Sequence, residues 1–263
     1  MRGVRGIFLI AFLLCSAVEA REQSKPRVIH VFVALADNEH QGIIPVPAAL
    51  GNGEDPSRNL YWGAAFGVRT FLRKSSDWRE VLTARNPFKG ILERSVFQHR
   101  TQAALLVADA YRGSETKQAL TDFFRAAAGI HIHEGQPTPC IVSGVLNCAP
   151  EDTDLVVYVG HDGLMDAQLA MEFPKPAGGN REAIVLACAS KAYFANLLRA
   201  SGAQPLLWTT GLMAPEAYTL KAAMDGWILH EKKEEIRRRA ASAYAQYQKC
   251  GLAAALRLFS AEW

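Results

Sequence analysis

Short apolar runs rich in Val, Ile and Leu alternate with longer helical stretches along this chain. The runs predicted to be strands are 27–35, 103–111, 154–160, 183–188 and 205–209. Continuous apolar runs are typical of strands buried on both faces, and their alternation with helices is typical of repeated βα units. The pattern therefore predicts an α/β fold, a three-layer α/β/α sandwich in which helices cover both faces of a mainly parallel sheet.

Six stretches are predicted to be helices, and the last three make the C-terminal third of the chain helical. They are 59–73, 114–128, 190–200, 214–227, 231–250 and 252–260. No Gly/Ser/Pro-rich linker divides the 263 residues, and a chain of this length can bury one large core. We therefore expect residues 21–263 to form a single domain with a helical C-terminal extension.

The first twenty residues have the pattern of an export signal. Arg2 and Arg5 give a positive start, residues 7–15 are apolar but too few to span a bilayer, and Ala20 ends a small-residue cleavage site. The weaker alternative is a lipoprotein anchored through Cys15. We expect a protein exported to the periplasm or the extracellular space, with no membrane span once the signal is removed.

Four cysteines remain after the signal, and an exported protein meets an oxidising compartment. Cys140 and Cys148 flank a short stretch resembling a loop that a disulfide could close. Cys250 follows a charged helix, where a packing role or a free thiol is as plausible as a bond. Cys188 stands apart because it ends a predicted strand.

Two strand ends carry residues with catalytic chemistry. His161 follows the apolar run 154–160, and Cys188 closes the run 183–188. In open parallel sheets the ligand site lies beyond the carboxyl ends of the strands, and neighbouring strands are about 5 Å apart. A thiol and an imidazole at successive strand ends are therefore expected to face one substrate.

The residues around this pair suit acyl transfer without a cofactor. Cys188 would precede a helix N-terminus, which favours the thiolate, and His161 could carry the proton to a leaving amine. The backbone N–H groups of Gly163 and Cys188 could face the developing oxyanion. The alternative is structural: a small buried Cys188 and a hydrogen-bonded His161.

Histidine, then a nearby glycine, then a cysteine at the next strand end resembles the pattern of the caspase-like cysteine peptidases, which include caspases, legumains, gingipains, clostripains and separases. The resemblance spans about residues 27–210 and implies a caspase-like fold, His161 as general acid and base, Cys188 as nucleophile and Gly163 on the oxyanion side. It implies a peptide or protein substrate. Asp162 departs from the pattern, since the family usually has glycine directly after the histidine.

In that family, specificity depends largely on the loop after the first strand and on the stretch after the strand that follows the cysteine. Here those positions hold Asp37, Asn38 and Glu39, and then Thr210 and Glu216. Acidic residues there suit a basic substrate side chain, so the resemblance suggests a preference for arginine or lysine.

Two other classes of function stay open. His131, His133 and Glu134, together with His161, Asp162 and Asp166, could be zinc ligands of a metallohydrolase. The chain could also be a catalytically inactive binding protein that keeps only the fold. The formal net charge of +3, without a basic cluster interleaved with aromatic residues, does not suggest a nucleic-acid partner.

Overall fold

The computed structural model of the protein describes residues 25–132, 138–142, 145–148, 153–173 and 181–263. In 138–142 and 145–148 the description covers the backbone. The predicted signal in residues 1–20 lies outside these ranges, as do His133, Glu134 and the side chains of Cys140 and Cys148. The signal and the disulfide therefore stay predictions.

The described chain contains six α-helices, ten strands and one turn of 3-10 helix at Gly113–Glu115. The strands are β1 Arg27–Ala34, β2 Trp78–Phe88, β3 Ile91–His99, β4 Ala104–Tyr111, β5 Thr138–Val142, β6 Val145–Cys148, β7 Thr153–Val159, β8 Glu182–Leu186, β9 Gln204–Thr209 and β10 Phe259–Ser260. The helices are α1 Val68–Lys74, α2 Thr116–Ala127, α3 Ser190–Ser201, α4 Ala217–Ile228, α5 Lys233–Gln248 and α6 Leu252–Leu258.

Eight strands form one sheet in the order β10-β9-β8-β7-β1-β4-β3-β2, and β5 pairs with β6 separately. The five strands from β9 to β4 run parallel, while β10, β3 and β2 add antiparallel edges. These five strands are the ones that the apolar runs predict, so the mainly parallel α/β sheet is confirmed. The strand order reverses beside β1, where β4 lies on one side and β7 on the other. Such reversals create ligand crevices.

Alternate residues of the central strands pack into two separate cores, one on each face. Ile29 and Val31 of β1 belong to a core that includes residues of α1, α4, α5 and α6. Phe32 points to the other face and packs with Phe123 of α2 and, through it, with Phe194 of α3. This arrangement is compatible with a three-layer sandwich. None of the helices in the described ranges is long and apolar enough to cross a membrane.

The first predicted helix begins later than expected. Residues 59–67 form turns, and the helix starts at Val68. The buried Asn59 side chain explains part of this, because it accepts the Ala36 N–H and donates to the Ala36 carbonyl, which ties the turns to the end of β1. A Cβ at Gly63 would lie 2.1 Å from the Ser57 carbonyl oxygen. The local sequence therefore forms close backbone contacts that a helix does not allow.

Strands β5 and β6 were not predicted, because the stretch between Cys140 and Cys148 is interpreted from the sequence as a loop; the backbone there forms an antiparallel pair instead. Strands β2 and β3 were not predicted either. They form an antiparallel hairpin in which β2 mixes exposed and half-buried residues as an edge strand. The last predicted helix, 252–260, is also shorter than expected, because Phe259 and Ser260 leave α6 and pair with β9. At the β2–β3 hairpin and at the end of α6, pairing with the sheet outweighs the weak local signal.

A buried ion cluster joins the hairpin to the parallel strands. Arg94 of β3 donates two hydrogen bonds of 2.6 Å to Asp109 of β4, and the His30 imidazole lies 2.8 Å from the same carboxylate. Arg94 and Asp109 are fully buried. Burial opposes ionisation of Asp109, but the charge and hydrogen bonds of Arg94, together with the hydrogen bond of His30, hold its pKa below the ordinary value. Each charge in the cluster therefore depends on its partners.

Removing one partner is expected to destabilise the whole domain. Arg94→Met leaves the Asp109 carboxylate buried without its cation, which costs about 3–5 kcal/mol of unfolding free energy. Arg79→Met, on the exposed face of β2, is the matched control and is expected to cost about 0.5 kcal/mol or less. Urea unfolding of both variants measures the difference, and equal losses would contradict this role of the cluster.

Candidate functional site

Cys188 lies in the tight turn between β8 and α3. The next residue, Ala189, has a left-handed backbone with φ of 47°, a conformation that costs an L-residue about 1 kcal/mol. Its N–H donates to the Gly211 carbonyl at 2.8 Å. The half-buried Cys188 thiol lies between the N–H of Met213, at 3.5 Å, and the Met213 carbonyl, at 3.7 Å. The turn thus fixes the sulfur at the carboxyl edge of the sheet.

The end of β9 holds this turn in place. The Thr209 hydroxyl donates to the Ala187 carbonyl and accepts the Ser190 N–H, while the Ser190 hydroxyl accepts the Thr209 N–H at 3.0 Å. Both hydroxyl residues are fully buried. These reciprocal bonds, which we call the Thr209–Ser190 latch, keep the strained turn from relaxing.

His161 follows β7 after Gly160, whose φ is 150°. A Cβ at Gly160 would lie 2.8 Å from the Ala34 carbonyl oxygen, so glycine lets the chain pass close to β1. The His161 carbonyl accepts the Tyr158 hydroxyl at 2.7 Å and the Gly163 N–H at 3.0 Å. The backbone that carries the imidazole is therefore anchored on two sides.

Asp166, which the sequence analysis considered only as a zinc ligand, has a different place in the structure. The turn 161–166 brings its carboxylate to 2.5 Å from Nε2 of His161. That bond leaves Nδ1 as the imidazole nitrogen with no hydrogen bond to a residue in the described ranges. A carboxylate on one nitrogen and a free second nitrogen are what an imidazole needs to be oriented as a proton carrier. The spacing of five residues after His161 was the available signal.

Asp162, the next residue along the turn, is fully buried. One carboxylate oxygen accepts the Leu164 N–H at 3.0 Å, and the other has no hydrogen-bond partner among the described residues. Burial raises the pKa of Asp162 to about 7, and the nearby Asp166 charge adds a smaller increase. Asp162 stands where the caspase-like pattern has glycine, and it therefore adds a titrating carboxyl group to the turn that carries His161.

His161 and Cys188 line one cavity of about 500 Å³. Its other walls come from the loop after β1, through Gly42 and Ile43, and from the segment after β9, through residues 212–216. The structure thus brings the two predicted strand-end residues to one open space. Within the described residues no hydrogen bond joins the two side chains: the thiol contacts the backbone of Met213, and the imidazole is hydrogen-bonded to Asp166.

Apolar side chains dominate the rim of this cavity. Ile44, Met165 and Leu212 line it and are exposed by 83%, 43% and 71% respectively. Exposed apolar side chains that cluster around a cleft are typical of a binding surface. The cavity is therefore suited to a ligand with apolar groups.

Glu216, which the sequence analysis proposed as a specificity residue, lines the same cavity as Cys188. One carboxylate oxygen accepts the Tyr218 hydroxyl at 2.8 Å and the Gln248 amide at 3.1 Å. Its other oxygen has no hydrogen-bond partner among the residues described. Burial raises the pKa of this carboxyl above the ordinary value.

The three proposed residues after β1 lie elsewhere. Asp37 is buried, and its carboxylate accepts the N–H groups of Glu39 and His40. Asn38 bonds to both backbone groups of Val46 and so closes the loop on itself. Neither these two nor the exposed Glu39 line the cavity. Asp37 and Asn38 shape the wall indirectly, by ordering the loop that supplies it.

Thr210 and Gly163 are also placed outside the cavity. The Thr210 hydroxyl donates to the Arg257 carbonyl, which fastens the end of β9 to α6. Gly163 lines a smaller cavity of about 180 Å³ on the other side of the imidazole, together with His40 and Lys117. Since its N–H already donates to His161, the structure does not bring Gly163 to the space beside Cys188.

Of the residues proposed as zinc ligands, His161, Asp162 and Asp166 share the turn 161–166, and no other proposed ligand joins them in the described part of the chain. His131 is exposed after α2, while His133 and Glu134 lie outside the described ranges. Within those ranges, no group of three or more His, Cys, Asp or Glu side chains could hold a metal ion.

Comparison of the chain with protein-family models, with curated proteins and with solved structures found no match. The resemblance to caspase-like peptidases therefore depends on the residues at the two strand ends.

The raised pKa of Asp162 has a measurable consequence for stability. Because the folded state binds this proton more tightly than the unfolded state, stability is expected to fall as pH rises from about 4 towards 7. Asp162→Asn removes this titration, so the unfolding free energy of the variant, relative to that of the wild type, should rise by about 3–4 kcal/mol between pH 4 and pH 8. Parallel urea unfolding curves measure this gain. The same pH dependence in both proteins would show that Asp162 is not the titrating group.

Proposed function

We propose that the protein is a cysteine endopeptidase of caspase-like architecture, acting outside the cytoplasm through Cys188 and His161. The observation that carries the proposal is the common cavity: the two side chains end neighbouring parallel strands and line the same apolar-rimmed space. Asp166 completes the set by orienting the imidazole. The same nucleophile, base and orienting carboxylate recur in hydrolases of unrelated fold.

The first half of the reaction forms an acyl-enzyme. The Cys188 sulfur attacks the carbonyl carbon of the scissile amide, its proton passes to Nδ1 of His161, and the carbonyl electron pair moves to oxygen. Collapse of this oxyanion breaks the carbon–nitrogen bond, and the imidazolium gives its proton to the leaving amine. Asp166 holds the ring in position and stabilises its positive charge.

The second half hydrolyses the thioester. His161 takes a proton from water, whose oxygen attacks the acyl carbon, and the carbonyl electron pair moves to oxygen. Collapse of this oxyanion breaks the carbon–sulfur bond, and the imidazolium returns its proton to the departing sulfur, which releases a carboxylic acid and the free thiol. Every group in both halves comes from this chain, the substrate or water, so the mechanism needs no cofactor.

We further propose that Glu216 selects a basic substrate side chain. It faces the cavity beside Cys188 and has one carboxylate oxygen without a partner among the described residues. A guanidinium or ammonium group would neutralise this half-buried charge and take up that oxygen. The exposed Ile44 and Leu212 would contact the apolar parts of the peptide.

If the protein is instead an inactive binding protein, the same cavity is expected, but the Cys188 thiol should be no more reactive than an ordinary cysteine thiol. Exposure helps to separate the two, because Cys250 is exposed whereas Cys188 is half-buried. Access alone would therefore make Cys250 the faster target of a small thiol reagent.

The proposal predicts the reverse order of labelling. Near neutral pH, iodoacetamide and a peptidyl acyloxymethyl ketone are expected to modify Cys188 faster than Cys250, because His161 accepts the thiol proton. Peptide mapping by mass spectrometry gives the two rates. Cys188→Ala should abolish peptide hydrolysis and leave the melting temperature close to that of the wild type.

Two results would contradict this assignment. One is labelling of Cys188 no faster than that of Cys250, and the other is peptide hydrolysis that survives Cys188→Ala. Cys250→Ala is the matched control for the loss of a thiol.

Glu216 is tested by a fluorogenic peptide series that varies only the residue before the scissile bond. The wild type should cut best after arginine or lysine. Glu216→Gln is expected to lose about tenfold to a hundredfold in kcat/KM on those peptides, because one charged contact is removed, and to keep its rate on a neutral peptide.

Glu39, the exposed acidic residue of the loop after β1, provides the comparison variant for Glu216→Gln. If Glu39→Gln abolishes the preference and Glu216→Gln leaves it intact, the specificity residue lies on the loop after β1, and the assignment to Glu216 is wrong.

A further inference from the structure

Tyr61 lies in the wall of the cavity that contains Cys188 and His161. Its position is well determined: its N–H donates to the buried Asn59 side chain at 3.1 Å, and its carbonyl accepts the Val68 N–H at 2.8 Å. Only 6% of the residue is exposed. The turns that replaced the start of the first predicted helix therefore hold an aromatic side chain at the site.

The Tyr61 hydroxyl donates to no residue in the described part of the chain. Unlike one carboxylate oxygen of Asp162, the hydroxyl oxygen is not sealed from solvent. Since Tyr61 lines the cavity, this hydroxyl is accessible to a molecule bound there. Buried tyrosines usually find a partner for this group, so a hydroxyl directed into a cavity is available to a ligand.

The electrostatic surroundings keep this hydroxyl protonated. Burial raises the pKa of Tyr61 well above its ordinary value, and negative charge at Cys188 and at Glu216 raises it further. Tyr61 and Cys188 line the same cavity. Tyr61 is therefore a protonated hydrogen-bond donor in the wall of the nucleophile's cavity throughout the neutral range.

The proposed reaction needs such a donor. Oxyanion sites use preorganised N–H or O–H groups aimed at the developing charge. The Cys188 N–H is one candidate, because it has no partner among the described residues. The Gly163 N–H, the second candidate from the sequence, already donates to the His161 carbonyl and lies by the smaller cavity.

We propose that the Tyr61 hydroxyl donates a hydrogen bond to the oxyanion that forms when Cys188 attacks a substrate carbonyl. This inference rests on the proposed function. In the step concerned, the carbon–sulfur bond forms, the carbonyl electron pair moves to oxygen, and the thiol proton goes to His161. The phenol keeps its proton and shares it with the new O⁻, so Tyr61 stabilises the charge without being consumed.

The test compares two reactions of the same sulfur. Acylation by p-nitrophenyl acetate passes through an oxyanion, whereas alkylation by iodoacetamide does not. Tyr61→Phe is expected to slow acylation of Cys188 about a hundredfold, the usual loss for one oxyanion donor, and to leave the alkylation rate unchanged. Tyr193→Phe, an exposed tyrosine on α3, is the matched control and should react like the wild type. Equal melting temperatures would show that the fold is intact.

The possible failures are distinguishable. Acylation of Tyr61→Phe at the wild-type rate overturns the role of Tyr61 and leaves the peptidase proposal standing. Equal slowing of acylation and alkylation also overturns it, because the phenol then acts on the thiol or its packing. If wild-type Cys188 is acylated by the ester but no peptide is cut, the peptidase proposal fails while the acylation rates still decide the role of Tyr61. If the ester does not acylate wild-type Cys188, both proposals fail.

Discussion

The parallel register of β1, β7 and β8 is the constraint on which the site depends. Parallel strands end at the same edge of a sheet, so residues that are far apart in sequence meet there. His161 and Cys188 come from consecutive strands in space, and the cavity between them is closed by the loops that follow β1 and β9. Gly160 makes the close approach to β1 possible. The chemistry of the site is thus a consequence of strand order.

Buried polar groups then fix what the strand order brings together. The Thr209–Ser190 latch holds the turn of the nucleophile, and two hydrogen bonds to the His161 carbonyl hold the turn of the imidazole. Hydrogen bonds in the low-dielectric interior are stronger than those at the surface, and a buried network in which every group is paired specifies one backbone arrangement. The site therefore has rigid backbone supports on both sides of a cleft with an exposed apolar rim.

The sequence predicted the five parallel strands because buried strands have continuous apolar runs, and it predicted the two strand-end residues because parallel strands share an edge. It did not predict the β2–β3 hairpin, whose edge strand lacks a clear alternation. The orienting role of Asp166 and the position of Tyr61 were not predicted for a different reason. Their roles depend on the turns 161–166 and 59–67, and turn geometry depends on close backbone contacts that no short-range pattern encodes. For Asp37 and Asn38 the sequence predicted contact with a substrate, but both side chains form hydrogen bonds to the backbone of their own loop. Acidic and amide side chains in loops commonly do so.

The left-handed backbone of Ala189 limits which residues can follow the nucleophile. Glycine adopts this conformation without cost and asparagine with little, but a β-branched side chain would clash with its own backbone, and the ring of proline cannot reach a positive φ. Across variants of this chain, position 189 should therefore accept only a small set of residues, while its neighbour Lys191, whose side chain lies partly in solvent, should accept many. Tolerance to substitution would then change sharply within two positions of the sulfur.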